Sequence, residues 1–195
     1  MLKIAITGNI ASGKTTVQKI LEQKGYKVLD TDIVGHKLLD ELPEIKNEFS
    51  KYEIFNTDGK INRPELGKLV FSNPELKAKL EAIIHPAIKQ EILKFFDYNA
   101  DEKVVFVGIP LLFETNMRDI FDKAVLIYTN DKIRKKRLIE RNSYTAEYAQ
   151  CRMDSQMPQD TKKALCEYII DNNGNLDNLS KEVQNFLNFL NNLSV

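Results

Sequence analysis

The chain has 195 residues, 43% hydrophobic and 29% charged, enough for one well-cored globular domain with an insertion or two. Twenty-eight basic residues balance twenty-eight acidic ones, so no global field draws it to nucleic acid or to an anionic membrane. No apolar run reaches the roughly 20 residues of a membrane helix. The N-terminus lacks the order of a signal peptide, and Cys151 and Cys166 have no metal-ligand spacing, so a reducing, cytoplasmic setting is expected.

"LKIAIT" (Leu2–Thr7) predicts a short buried strand. "GNIASGKT" (Gly8–Thr15) follows and fits G-x-x-x-x-G-K-[ST]. Glycines such as Gly8 and Gly13 let the backbone wrap, so that N–H groups across Ala11 and Ser12 converge on one anion. The next helix, opening at Lys14, Thr15 and Thr16, adds its positive end. Lys14 can reach the β- and γ-phosphates of a nucleotide, and the Thr15 hydroxyl can ligate Mg²⁺. The bland alternative is a strand-to-helix turn that happens to contain glycine; the apolar strand before it and the helix after it favour the nucleotide.

Val17, Ile20 and Leu21 share one face of the helix beginning at Lys14, and Gly25 ends it. "YKVLD" (Tyr26–Asp30) is a second strand, making a βαβ unit and hence a parallel sheet. Ligands in such sheets lie at the carboxyl ends of the strands. Asp30 and Asp32 of "DTD" are therefore expected beside the loop, to take a proton from an attacking hydroxyl or hold Mg²⁺ through water. The alternative for either is a cap on the next helix.

The stretch to about Asn99 reads as mostly helical, with a turn at "TDGK" and a helix opening on Asn73 and Pro74. Pro86 is expected to break that helix at His85, and a further helix to run to about Tyr98. His85 either touches substrate or caps. Strands return at Lys103–Ile109 and Lys123–Thr129. The helix after them places Arg134, Arg137 and Arg141 on one face. They form either a solvated stripe or the base of a lid over phosphates. The polar segment 142–165, broken at Pro158, would be that lid and mobile without nucleotide. Glu167–Asp171 is a last strand. In the turn after it Asn172 either contacts the nucleotide base or makes the turn, and an amphipathic helix closes the chain.

Together these elements predict an α/β chain of the P-loop NTPase fold, a five-stranded parallel sheet flanked by helices, spanning 1–195 as one unit. Its nucleotide-binding core is 1–30, 100–141 and 166–195; its helical excursions are 31–99 and 142–165.

In order along the chain, "ITGNIASGKTTV", "VLDTDIV", "DGKINRPELGKLVFSNPELKAKLEAIIHPAI", "IPLLFE", "RLIER", Gln156 and "IIDNNG" resemble the dephospho-CoA kinase family. The H-P block and the P-L-L-F-E run are the specific pieces. The resemblance implies transfer of the γ-phosphoryl group of ATP to the ribose 3′-hydroxyl of the small molecule dephospho-CoA, with Mg²⁺ as cofactor and no nucleic-acid partner. It implies that 31–99 binds the acceptor, with Asp30, Arg63 of R-x-x-L and His85 of H-P as candidate substrate contacts, and that 142–165 is the lid. Asp32 resembles the family's base, and Arg137 and Arg141 its lid arginines. Three departures stand out: Asn9 and Ala11 replace frequent loop glycines, Gly108 stands where many members carry an aspartate, and Cys166-Glu167 replaces Ala-Asp. The missing aspartate shifts Mg²⁺ binding onto Thr15 and Asp32. Another P-loop small-molecule or nucleoside kinase is the nearest alternative. A GTPase switch is a further one, since "DIVG" (Asp32–Gly35) fits D-x-x-G, but no N-K-x-D motif accompanies it.

Overall fold

A computed structural model describes residues 1–193. Five parallel strands, β1 (Leu2–Thr7), β2 (Lys27–Asp30), β3 (Val104–Gly108), β4 (Lys123–Tyr128) and β5 (Tyr168–Asp171), form one sheet in the order β2-β3-β1-β4-β5. β1 is central. The chain runs outward to β2, returns through β3, and crosses β1 to β4 and β5. All carboxyl ends therefore open on one edge, and the loop after β1 lies in the middle of it. The register sets Asp30 of β2 and Ile6 of β1 on either side of Gly108.

Two compact units partition the chain: Met1–Asp30 with Tyr98–Val195, and Thr31–Asp97. In the first, alternate residues of the strands face one way, as period-2 patterning requires. Ile4, Ile6, Phe106, Val125, Ile127 and Ile170 pack against Val17 and Leu21 of α1 (Lys14–Gln23) and against the last helix, Leu176–Leu193, through Leu179, Val183, Phe186, Leu187 and Leu190. The opposite face is equally dry: Ala5, Val105, Val107, Ala124 and Leu126 are fully buried. Strands covered on both sides explain why they read as continuous apolar runs rather than alternating ones.

The second unit holds α2 (Thr31–Glu41), α3 (Pro43–Phe49), α4 (Arg63–Ser72) and most of α5 (Pro74–Tyr98). Its own core is Ile45, Phe49, Ile54, Ile61, Leu66, Val70 and Leu76. Asn62 and Asn73 cap α4 and α5, their side-chain oxygens accepting from Glu65 and from Glu75 and Leu76. The expected break at Pro86 is absent: α5 runs through it for 25 residues. Pro86 removes only the donor that would meet the Ala82 carbonyl. Ile83 and Ile84 on one side and Ile92 and Phe96 on the other are packed, which outweighs the local bias of the residue before proline. "DIVG" lies inside α2, its Gly35 within reach of Ile88 of α5, so it is helix rather than a switch loop.

Between β4 and β5 lie α6 (Asp131–Asn142), α7 (Ala146–Asp154) and α8 (Gln159–Leu165), all in the first unit. Asn130 caps α6 through the Lys132 N–H. Near the start of β5 the Glu167 carboxylate accepts from the Ala124 N–H at 2.7 Å and pairs with Arg118. Burial pushes this carboxyl up, but the Ala124 N–H and Arg118 outweigh it and leave it below its ordinary 4.5. A lowered folded value stabilises the fold above the unfolded value and is lost as pH falls through the folded one. Glu167→Gln, which matches the protonated acid in shape, is expected to lower stability by about 1 kcal/mol at pH 7. Urea titrations should show that gap closing below pH 4.5.

Candidate active site

The loop Gly8–Gly13 joins β1 to α1 by a tight path. Gly13 takes φ 95° and Ala11 φ 62°, both left-handed. Ala11, where the sequence departs from glycine, bears a strain of about 1 kcal/mol for it. Gly8 is required sterically: a Cβ there would lie 2.5 Å from Ser12 Oγ and 3.0 Å from the Ile127 carbonyl oxygen. Gly13 is the N-cap of α1 and provides no side-chain cap. The leading N–H groups of the helix are thus left to an incoming anion.

The carbonyls are held from outside. The Ser12 carbonyl accepts from Thr129 Oγ1 at 2.9 Å and from Asn172 Nδ2 at 2.7 Å. The Ile10 carbonyl accepts from Arg134 Nη1 at 3.2 Å, while the Ile10 N–H donates to Gln156 Oε1 at 2.7 Å. Asn9 uses its extra side chain as a tether, Nδ2 donating to the Met157 carbonyl at 2.8 Å. Buried Ser12 Oγ and Asn9 Oδ1 have no hydrogen-bond partner among the described residues.

Lys14 is 7% exposed, and its Nζ lies 3.4 Å from Asp30 Oδ1 and 3.3 Å from Gln18 Oε1. Thr15 and Thr16 face solvent on the first turn of α1. Arg137 donates from Nη2 to the Asn172 carbonyl at 3.1 Å and flanks Gly13. The structure therefore gathers Gly8, Ala11, Ser12, Gly13, Lys14, Thr15, Asp30, Arg137 and Asn172 about one loop. Asn172 has its amide buried and bonded to the loop. Arg134 leaves the lid stripe, being 3% exposed and bonded to the loop and to Asp131. Arg141 is exposed, its Nε donating to Asn142 Oδ1.

The segment 142–165 is better packed than its polarity predicts. Ala149 and Met153, one helical turn apart, close on Leu138 of α6 and on Ile10 and Ala11 of the loop. At its far end Lys162, fully buried, donates from Nζ to the Pro110 carbonyl and to Glu114 Oε1, each at 2.9 Å. The same Glu114 oxygen accepts from the Met157 N–H at 3.1 Å. "IPLLFE" thus earns its place as the clamp on the segment after α7.

In the helical unit, Asp32 is an exposed residue in the first turn of α2. Arg63 opens α4, its Nη2 3.6 Å from Asp40 Oδ2, and lines a groove of about 310 Å³ with Asp40, Asn56, Lys60, Asn62 and Pro64. His85 is half-buried in α5 and outside that groove. Burial lowers its pKa, against the pull of Glu81, so the imidazole is neutral at pH 7.

For Mg²⁺ the donors fit. No group of three His, Cys, Asp or Glu placed to hold a metal ion occurs among the described residues. A hydroxyl at Thr15 and a carboxylate at Asp30 are hard oxygen donors of the kind that share Mg²⁺ with water and substrate phosphates. Sequence reasoning missed Gln18, Thr129 and the Lys162–Glu114 pair. Only Gln18 left a signal, its spacing of four from Lys14 on one helix.

Glu114→Ala would strand a buried ammonium, at about 3–5 kcal/mol. Chemical denaturation of Glu114→Ala should show that loss, and Lys162→Met added to it should recover most of it.

A family model described as dephospho-CoA kinase matches residues 2–178. A dephospho-CoA kinase of Listeria innocua is 39% identical over 198 residues, covering 97% of this chain and 98% of the relative. The solved dephospho-CoA kinase of Campylobacter jejuni superposes with a TM-score of 0.73 at 31% identity, covering 99% and 98%. A shikimate kinase of Bacteroides thetaiotaomicron, 15% identical over 97% and 98% of the two chains with a TM-score of 0.58, shares the fold alone. With β1, its phosphate loop, α1 and the Lys14–Asp30 pair all inside the matched span, the chain belongs to the dephospho-CoA kinase family.

Proposed function

We propose that this chain transfers the γ-phosphoryl group of ATP to the ribose 3′-hydroxyl of dephospho-CoA, releasing ADP and coenzyme A. The observation that carries the reading is the family match across residues 2–178, which takes in both the phosphate loop and the helical excursion. The new bond joins the acceptor oxygen to phosphorus as the bond to ADP breaks. The hydroxyl proton goes to Asp32.

The division of labour follows from the chemistry. Phosphoryl transfer spreads negative charge over the equatorial oxygens and leaves the protein mainly to position and stabilise. The backbone of Gly8, Ala11, Ser12 and Gly13 cradles the phosphates, with Lys14 on the β- and γ-groups and Thr16 beside them. Arg137, already at the loop, and Arg141, four residues on, supply guanidinium groups to the transferring phosphate. Thr15, with Asp30 or Asp32, holds Mg²⁺, which when bound offsets the phosphate charge. Residues 142–165 act as the lid, and Arg141 joins the phosphates as it closes. The unit 31–99 binds the acceptor, with Arg63 drawn to its phosphates and neutral His85 as a hydrogen-bonding contact. Asn172 serves the nucleotide indirectly, by fixing the loop.

No described helix is long and apolar enough to cross a membrane. Both cysteines are free, which fits the reducing cytoplasm where we place the reaction. Neither nucleic acid nor membrane enters this reading.

Protein mixed with Mg·ATP and dephospho-CoA should give coenzyme A and ADP by mass spectrometry, and faster than it phosphorylates adenosine, AMP or shikimate. Absence of coenzyme A from correctly folded protein would refute the assignment. Asp32→Asn keeps shape but loses the charge. Turnover should fall on the order of 10²–10⁴-fold, with dephospho-CoA affinity by calorimetry within a few-fold of the parent. An equal loss in Asp30→Asn would show that the two aspartates do not divide the work in this way.

A further inference from the structure

The sheet edge carries a gap at Gly108, between Asp30 and Ile6. The gap is filled from outside the sheet. Gln18 of α1 is 3% exposed and lies over the glycine; a Cβ at position 108 would be 2.3 Å from its Nε2 and 2.8 Å from its Cδ. The Gln18 amide is therefore wedged: the helix is on one side, the glycine backbone on the other, and almost no solvent remains. Its Oε1 accepts from Lys14 Nζ, and its buried Nε2 has no hydrogen-bond partner among the described residues.

Taking Lys14 as the phosphate-binding lysine proposed above, we propose that Gln18 is a positioning residue for the phosphoryl-transfer site, locked in place by Gly108 and acting through Lys14. Lys14 must be mobile enough to follow the transferring phosphate, yet a buried ammonium paired with a carboxylate is costly to pull away. Gln18 shares the ammonium with Asp30. It offers a neutral acceptor four residues along the same helix, so the carboxylate alone does not set the aim of Lys14. The lengths of 3.3 and 3.4 Å fit a shared rather than a tight contact.

The geometry also couples the two positions. Any side chain at 108 displaces the amide, because a 3% exposed residue has no open side to retreat to. A carboxylate at the end of β3 and a glutamine at position 18 are thus mutually exclusive in this packing. Asp30, on the neighbouring strand, is the register partner of Gly108 at this edge.

The test is a double-mutant cycle. Gln18→Met conserves volume over Gly108 and removes the acceptor. Gly108→Ala leaves Gln18 in the sequence but evicts its amide. Each should lower kcat roughly 10-fold or more, the worth of a hydrogen bond to a charged group, with KM for dephospho-CoA within about twofold. Gln18→Ala added to Gly108→Ala should bring no further loss. Lys14→Ala alone should lose on the order of 10²–10³. In that background Gln18→Met should change neither kcat nor the ATP affinity measured by calorimetry, whereas a purely structural role would persist there. Wild-type kcat in both Gln18→Met and Gly108→Ala, or an undiminished Gln18→Met effect without Lys14, overturns the role of Gln18. Wild-type turnover in Lys14→Ala overturns the underlying reading of the loop instead.

Discussion

A loop that receives an anion through its own N–H groups must have its carbonyls turned away and kept there. The whole nucleotide side of this chain is arranged around that requirement. The Ser12 carbonyl is held by Thr129 from the end of β4 and by Asn172 from the end of β5. The Ile10 carbonyl is held by Arg134 from α6. Two strand ends and one helix thus converge on two carbonyls, which is what the strand order makes possible: β4 lies beside β1, and β5 beside β4 on the same side. Arg134 is buried for this purpose and is not part of a lid. A buried guanidinium needs partners, and it finds them in Ile10 and Asp131.

Much of this frame was legible in the residues. The strand, loop and helix at the start of the chain carried strong local signals, each agreeing with the others, and β1 and α1 lie where the pattern put them. Less was legible where tertiary packing outweighed local preference. Pro86 reads as a helix stop, but a helix anchored by apolar residues on both sides of it tolerates one missing donor. The polar run after Arg141 reads as loosely held, yet two small or flexible apolar residues at helical spacing suffice to seat it against Leu138 and Ile10. Asn172 has a partner 160 positions away in sequence, the Ser12 carbonyl. Such pairings leave no trace in a window of neighbouring residues.

The departures from common family residues are compensated where they occur. Asn9 stands for a glycine, and its side chain is used to hold Met157. Gly108 carries no side chain, and Gln18 occupies the space. Glu167 follows Cys166, whose thiol burial pushes up to about 12. At that value the sulfur is an inert filler near the start of β5, while Glu167 binds the Ala124 N–H. The path of the loop is thus held by side chains as well as by the backbone freedom of Gly13.

The bond from the Ile10 N–H to Gln156 joins the phosphate loop to the segment between α7 and α8. Linkage makes such a joint reciprocal. Whatever affinity the loop gains for phosphate because Gln156 fixes the Ile10 peptide, the segment gains in order when phosphate arrives, by the same factor. A substitution at Gln156 would then register as a nucleotide-affinity change, and a nucleotide would register as protection of residues 155–158. The joint gives this small chain a way to report occupancy of its loop in the order of a segment elsewhere, and its free energy can be read equally well from either end.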